Sequence, residues 1–194
     1  VKCFDSPACL LIGTDWGRVY RVTEFDSGQP KVSLLLRNTS VIDSMLLLDG
    51  KTLVLADGAA NFSSRRHLNA YSTSTGELLW ESGDSTSAMA SCATPGYPNF
   101  ATGNREGEIH IRDKRTGEIV KSWRAGDQSY FINAIAFDPT CTKIIVAWGF
   151  DRLESQAVRS AKHQLVIWNI ADIPVQIGIL KGHTSPVMSL AISG

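Results

Sequence analysis

Several things are missing from this sequence, and each absence removes a class of protein. No run of about 18 apolar residues occurs, so no segment has the length of a membrane-spanning helix. Neither sign of charge is in excess: 19 Lys and Arg face 19 Asp and Glu in 194 residues. That balance argues against a general binder of nucleic acid or anionic membranes, whose affinity rests on surplus basic groups. Cysteine is scarce, at four residues: Cys3, Cys9, Cys92 and Cys141. None forms a C-x-x-C pair, and no Cys/His cluster has zinc spacing. We therefore expect reduced, mostly buried thiols, with a Cys3–Cys9 bridge across a hairpin as the alternative. The opening Val1-Lys2-Cys3-Phe4-Asp5 does not read as a secretory signal, and with reduced thiols the expected location is cytoplasmic or nuclear. The sequons Asn38-Thr39-Ser40 and Asn61-Phe62-Ser63 would matter only in a secreted chain. The G-x-S-x-G, G-x-x-x-x-G-K, G-x-G-x-x-G and H-E-x-x-H motifs are all absent. No catalytic residue, metal or cofactor is expected.

What remains is a turn-rich globular composition: 43% hydrophobic, 20% charged, with 16 Gly and 7 Pro. Glu108-Ile109-His110-Ile111 and Gln164-Leu165-Val166-Ile167 alternate with period two, whereas Leu53-Val54-Leu55 and Ile144-Ile145-Val146 are continuous apolar runs. Turn pairs such as Asp49-Gly50, Thr75-Gly76, Thr116-Gly117 and Asp138-Pro139 bound such runs. No segment sustains a helical period, so the chain reads as all-β with short strands.

The runs also align on one another. Gly13-Thr14-Asp15-Trp16-Gly17 and Gly103-Asn104-Arg105-Glu106-Gly107 both lead into a strand, offset by 90 residues. Thr75-Gly76-Glu77 and Thr116-Gly117-Glu118 match at an offset of 41, and Gly83–Met89 matches Gly182–Met188. Taking the end of each third strand as anchor, Val22, Tyr71, Arg112 and Trp168 become equivalent, spaced by 49, 41 and 56 residues. Four strands per unit of roughly 40–45 residues is the repeat of a propeller blade. Radial packing buries the faces that a lone four-stranded sheet would expose. The expected architecture is a β-propeller of four-stranded antiparallel blades: residues 1–37, 38–82, 83–124 and 125–181, with 182–194 the first strand of a fifth.

At these residues the chain resembles the WD-repeat β-propeller family. Gly182-His183 looks like the family's Gly-His between blades. Ala101–Asp113 looks like a second strand, turn and third strand. Trp168-Asn169 and Arg112-Asp113 stand at the Trp-Asp position. The resemblance implies structural roles for Gly182, His183, Asp113 and Trp168: in the family a His, a strand Ser/Thr, a turn Asp and the Trp share a buried hydrogen-bond network. It also implies a seven-bladed ring, which at roughly 40–45 residues per blade needs a longer chain, so this one is expected to be part of such a ring. It implies, too, a non-catalytic scaffold that binds proteins through loops on one propeller face. A second resemblance, of Leu68–Trp80 to quinoprotein-like propellers, implies instead a cofactor-dependent dehydrogenase or a periplasmic assembly factor. Trp80, Trp123 and Trp148 read as blade-packing residues.

The connection from second to third strand is where binding residues are expected. It spans nine residues from Gly13 to Val22 and from Gly103 to Arg112, but fourteen from Asp57 to Tyr71 and nineteen from Gly149 to Trp168. Loops on a rigid scaffold commonly carry binding. The candidates are Trp16, Arg65, Arg66, His67, Arg105, Arg152, Arg159 and Lys162. Their basic lean suits acidic or phosphorylated protein segments; nucleic acid and membrane are not expected partners.

Overall fold

A computed structural model describes residues 2–3, 9–14, 16–24, 27–38, 40–58, 67–125, 131–149 and 163–192. Among them are sixteen β-strands and no α-helix, arranged as four separate four-stranded antiparallel sheets. Each sheet uses consecutive strands. The first holds β1 (Lys2–Cys3), β2 (Cys9–Gly13), β3 (Arg18–Thr23) and β4 (Lys31–Arg37). The second holds β5 (Val41–Leu48), β6 (Thr52–Gly58), β7 (Leu68–Ser72) and β8 (Leu78–Ser82). The third holds β9 (Ala88–Ser91), β10 (Asn99–Gly103), β11 (Glu108–Asp113) and β12 (Ile119–Arg124). The fourth holds β13 (Ile132–Phe137), β14 (Lys143–Trp148), β15 (Leu165–Asn169) and β16 (Val175–Leu180). The all-β, four-stranded-blade expectation is met.

The local chemistry of the repeats explains this regularity. Val22, Tyr71, Arg112 and Trp168 are each the penultimate residue of their sheet's third strand. In three sheets the pairing of third to fourth strand slips by a bulge immediately before that residue, at Ala70/Tyr71, Ile111/Arg112 and Ile167/Trp168. The two Thr-Gly turns repeat atom for atom. Gly76 N–H donates to Ser72 O and Gly117 N–H to Asp113 O, both at 2.9 Å. These glycines have φ of 76° and 75°, a left-handed region that side chains with a Cβ rarely adopt.

The chain divides into two compact units, Val1–Ser85 and Thr86–Gly194. In the first unit, Leu11, Val19 and Leu36 pack face to face against Leu53 and Leu55, with Ile42, Met45 and Tyr71 at the margin. In the second, Ala101, Ile109 and Ile111 meet Ile132, Ile144, Val146 and Val166, with Trp123 and Trp168 closing one side at 5.8 Å between ring centroids. Buried Trp148 belongs to that core, as its packing role required.

Two further links join the third and fourth sheets. The Lys121 ammonium donates to the carbonyls of Ile170, Ala171 and Asp172 at 2.8–2.9 Å, which uses all three of its protons. Cys92, just past β9, is disulfide-bonded to Cys141 in the β13–β14 turn, with Cα atoms 5.7 Å apart. The expectation of reduced thiols is therefore corrected, and among the described residues no cysteine is free. Two cysteines 49 positions apart become partners because face-to-face packing brings the ends of two different sheets together. Disulfides persist in oxidising surroundings, so the cysteines lend no support to a cytoplasmic or nuclear location.

Residues 181–192 follow β16 without joining a sheet. Val187 and Leu190 pack on Ala134, Ala147 and Leu165, while Met188 is exposed. The segment thus lies on the fourth sheet through the apolar contacts of Val187 and Leu190 rather than through a hydrogen-bonded ladder.

Candidate interaction surfaces

Among the described residues of the first unit, the most exposed large aromatic lies at the β2–β3 turn. Trp16 is 81% exposed there. The turn beneath it is tightly fixed. Thr14 N–H donates to Arg18 O at 2.9 Å, Gly17 N–H to Thr14 O at 3.2 Å, and Asn38 N–H to Gly17 O at 2.6 Å. Gly17 has φ of 71°, and a Cβ there would run into the Asn38 and Ser40 carbonyls, so only glycine fits. An apolar ring of this size held in solvent on a rigid turn is the kind of residue that anchors protein contacts.

A polar cluster continues from this turn into the second sheet. The Asn38 side-chain amide donates to the Asp57 carboxylate at the end of β6. His67 Nδ1 lies 2.9 Å from Glu81 Oε1. Burial pushes the Asp57 carboxyl above the usual range; the Asn38 hydrogen bond and His67 pull it down, while Glu81 and Asp43 push it further up. Tyr71 is likewise raised, first by burial and then by the Asp57 and Glu81 charges. Asn38 and Asp57 therefore link the β4–β5 connection to β6 and hold the floor of the Trp16 turn.

In the second unit a polar network is buried. Arg112, only 1% exposed, donates from Nε to Thr102 Oγ1 at 3.1 Å and from Nη1 to Gly117 O at 2.9 Å. Its Nη2 lies 3.2 Å from His110 Nδ1. A guanidinium has no acceptor, so Nδ1 accepts and the imidazole proton sits on Nε2. That nitrogen is 3.9 Å from Glu108 Oε2. Glu108 also takes bonds from Asn104 Nδ2 (2.9 Å) and Arg124 Nη2 (3.3 Å). The Asn104 bond is the main cause that holds the Glu108 carboxyl below its usual range; burial opposes it, and Arg124 and His110 assist.

The residues proposed from sequence distribute as follows. Trp16 is exposed. His67 is half-buried and engaged with Glu81. Arg105 is half-buried, its guanidinium 5.5 Å from the centre of the Phe131 ring, so part of its surface is spent inside the protein. Arg65, Arg66, Arg152, Arg159 and Lys162 lie outside the described residues. Asp113 caps its turn by accepting from Thr116 N (2.9 Å) and Arg115 N (2.8 Å), bonds that lower its carboxyl pKa although slight burial opposes them. Trp168 packs against Trp123, but its Nε1 is buried without a hydrogen-bond partner. Gly182 and His183 are exposed.

Sequence reasoning missed the Arg112 network. The signal was Thr102, which lies two residues beyond Phe100, the pairing partner of Arg112. The corresponding residue two beyond Ile144, the pairing partner of Trp168, is Val146. The hydroxyl and the indole thus fall in different sheets.

A cavity of about 350 Å³ opens between the third and fourth sheets beside the disulfide, lined by Tyr97, Asn99, Lys121, Thr140 and Thr142 among others. Lys121 has no proton left for a ligand there. Among the described residues no three His, Cys, Asp or Glu side chains group as a metal site.

No protein-family model matches this chain, and no curated protein matches it in sequence. Solved structures do: 991 chains are similar to it, so the architecture is common and singles out no activity by itself. One is a WD40-type propeller in the crystal structure of a mitotic checkpoint complex, at 15% identity and a TM-score of 0.68. The match covers 95% of this chain and 51% of that one, so this chain spans about half its neighbour's length. The likeness gives the fold: the four sheets are blades of a WD40-like propeller.

Proposed function

We propose that this chain is a WD-repeat propeller protein and works as a non-catalytic scaffold, binding other proteins through the end of the blades that carries the β2–β3 turn. The observation that carries this reading is Trp16, largely exposed on a turn held by three backbone hydrogen bonds. The structural neighbour comes from a multiprotein complex, which supports protein partners. Its chain is about twice as long, which supports a larger ring of the seven-bladed kind in which these four sheets are consecutive blades.

The test is affinity capture with in-cell crosslinking, comparing the wild-type chain with Trp16→Ala. Trp16 contributes little to packing, so the variant should melt with the wild type. The expected outcome is at least a tenfold loss of the crosslinked partner set. Retention of the whole set by a folded Trp16→Ala variant overturns the reading.

A further inference from the structure

Next to Trp16, two arginines stand directly opposite each other. Arg18 opens β3, Arg37 closes β4, and the two are register partners. Both are exposed. Neither takes part in an ion pair among the described residues, although Lys31 at the other end of the same two strands pairs with Glu24 at 2.8 Å. Like charges placed opposite each other on adjacent strands destabilise a sheet. A sequence that breaks a local rule without a compensating contact commonly does so at a functional position.

We propose that Arg18 and Arg37 form a phosphoryl-binding pair, which together with Trp16 takes a phosphorylated serine or threonine on an extended protein segment. This rests on the scaffold reading above and names the chemistry of its partner. Paired strands lie about 5 Å apart, so both guanidiniums can reach a single group. Successive same-side carboxylates of an extended peptide lie farther apart, at roughly 6.8 Å from a rise of about 3.4 Å per residue. One phosphoryl group offers close to two negative charges and three acceptor oxygens at one point, which two planar donors can share. Trp16, exposed two residues before Arg18 in the same β2–β3 turn, offers apolar area for a neighbouring residue of the segment. The base of the site is prearranged: Arg18 N–H is held by Thr14 Oγ1 at 3.3 Å, and Asn38, directly after Arg37, is tied to Gly17.

The experiment uses the full chain and immobilised peptide libraries degenerate around a fixed phosphoserine or phosphothreonine. The same libraries are run unphosphorylated and with glutamate in the fixed position. Selected peptides are then titrated by fluorescence anisotropy. Phosphorylated peptides should be retained at least tenfold over both controls. Arg18→Ala and Arg37→Ala should each weaken binding about tenfold, and Arg18→Lys should recover part of the loss. Melting temperature should hold or rise in the alanine variants, because the repulsion is relieved, so lost binding cannot be blamed on unfolding. Equal retention of phosphorylated and glutamate peptides, no retention at all, indifference to both alanine variants, or preferential retention of a single-stranded RNA probe each overturns the phosphoryl site. If partners are still lost on Trp16→Ala while phosphate makes no difference, the scaffold reading stands and only this inference falls.

Discussion

Arg112 and Trp168 occupy the same slot in two sheets that share one core, and they solve it by opposite chemistry. Both are penultimate in the third strand and both follow a bulge. In the third sheet a hydroxyl waits across the ladder at Thr102, and a fully buried guanidinium uses it. In the fourth sheet that place is held by Val146, and the indole N–H of Trp168 goes without a partner. The slot therefore does not demand an aromatic ring. In these two sheets it takes a large side chain, and whether that side chain's donor is satisfied depends on what the neighbouring strand offers, Thr102 in one and Val146 in the other. A guanidinium stem fills volume much as a ring does, while its N–H groups satisfy buried acceptors.

The largest test of this pairing removes the covalent link between the two sheets. A disulfide closing a loop of 49 residues is worth about 4 kcal/mol in the chain-entropy model. Chemical denaturation of the Cys92→Ala, Cys141→Ala double variant should show a loss of that order. A change below about 1 kcal/mol would mean that packing and the Lys121 contacts already hold the sheets together.

Exchanging the hydroxyl is a sharper test. Thr102→Val should cost about 1–3 kcal/mol, because it strands a buried charged donor. Val146→Thr should be close to neutral or stabilising, since the new hydroxyl can accept from Trp168 Nε1. The same change at Val54, a buried position with no such donor, should cost about 1–3 kcal/mol. Equal losses at Val146 and Val54, read from urea midpoints, would break the proposed equivalence.

The smallest effects contrast two carboxylates under titration. Asp113 lies below its usual range when folded. Its contribution is present above the unfolded carboxylate pKa and is lost as pH falls through the folded value. Asp57 is raised by burial; its contribution is fullest below the unfolded pKa and fades as pH rises through the folded one. Asp113→Asn should therefore flatten the acid limb of stability against pH. Asp57→Asn should raise stability near neutral pH while keeping an acceptor for Asn38. Melting curves from pH 3 to 8 check both, and parallel profiles for the wild type and both variants would contradict the assignment.

Much of the fold could be read from residue order because its causes are local. Alternating apolar residues define a strand, and a Thr-Gly turn needs a left-handed glycine wherever it occurs, so Thr75-Gly76 and Thr116-Gly117 announced equivalent turns. Trp16 was less legible: a large ring in a tight turn can stand in solvent or pack on a neighbouring blade, and residue order does not say which; the structure leaves it exposed. Asp138 shows where that legibility ends. Burial alone would raise its carboxyl, yet hydrogen bonds from Thr140 and Lys143 N–H, with the Lys143 charge, hold it below the usual range. That balance depends on how the turn closes.

The sequence by itself determined the all-β class, the four-strand repeat and the equivalence of Val22, Tyr71, Arg112 and Trp168, because period, turn chemistry and spacing are written along the chain. Only the tertiary structure decided that Cys92 meets Cys141, that Arg112 is buried on Thr102 while Arg18 and Arg37 stand exposed and opposed, and that Trp168 lacks a partner. These are relations between strands or between sheets. A residue's environment there depends on which neighbour the register places across from it, and that neighbour lies many positions away in the chain.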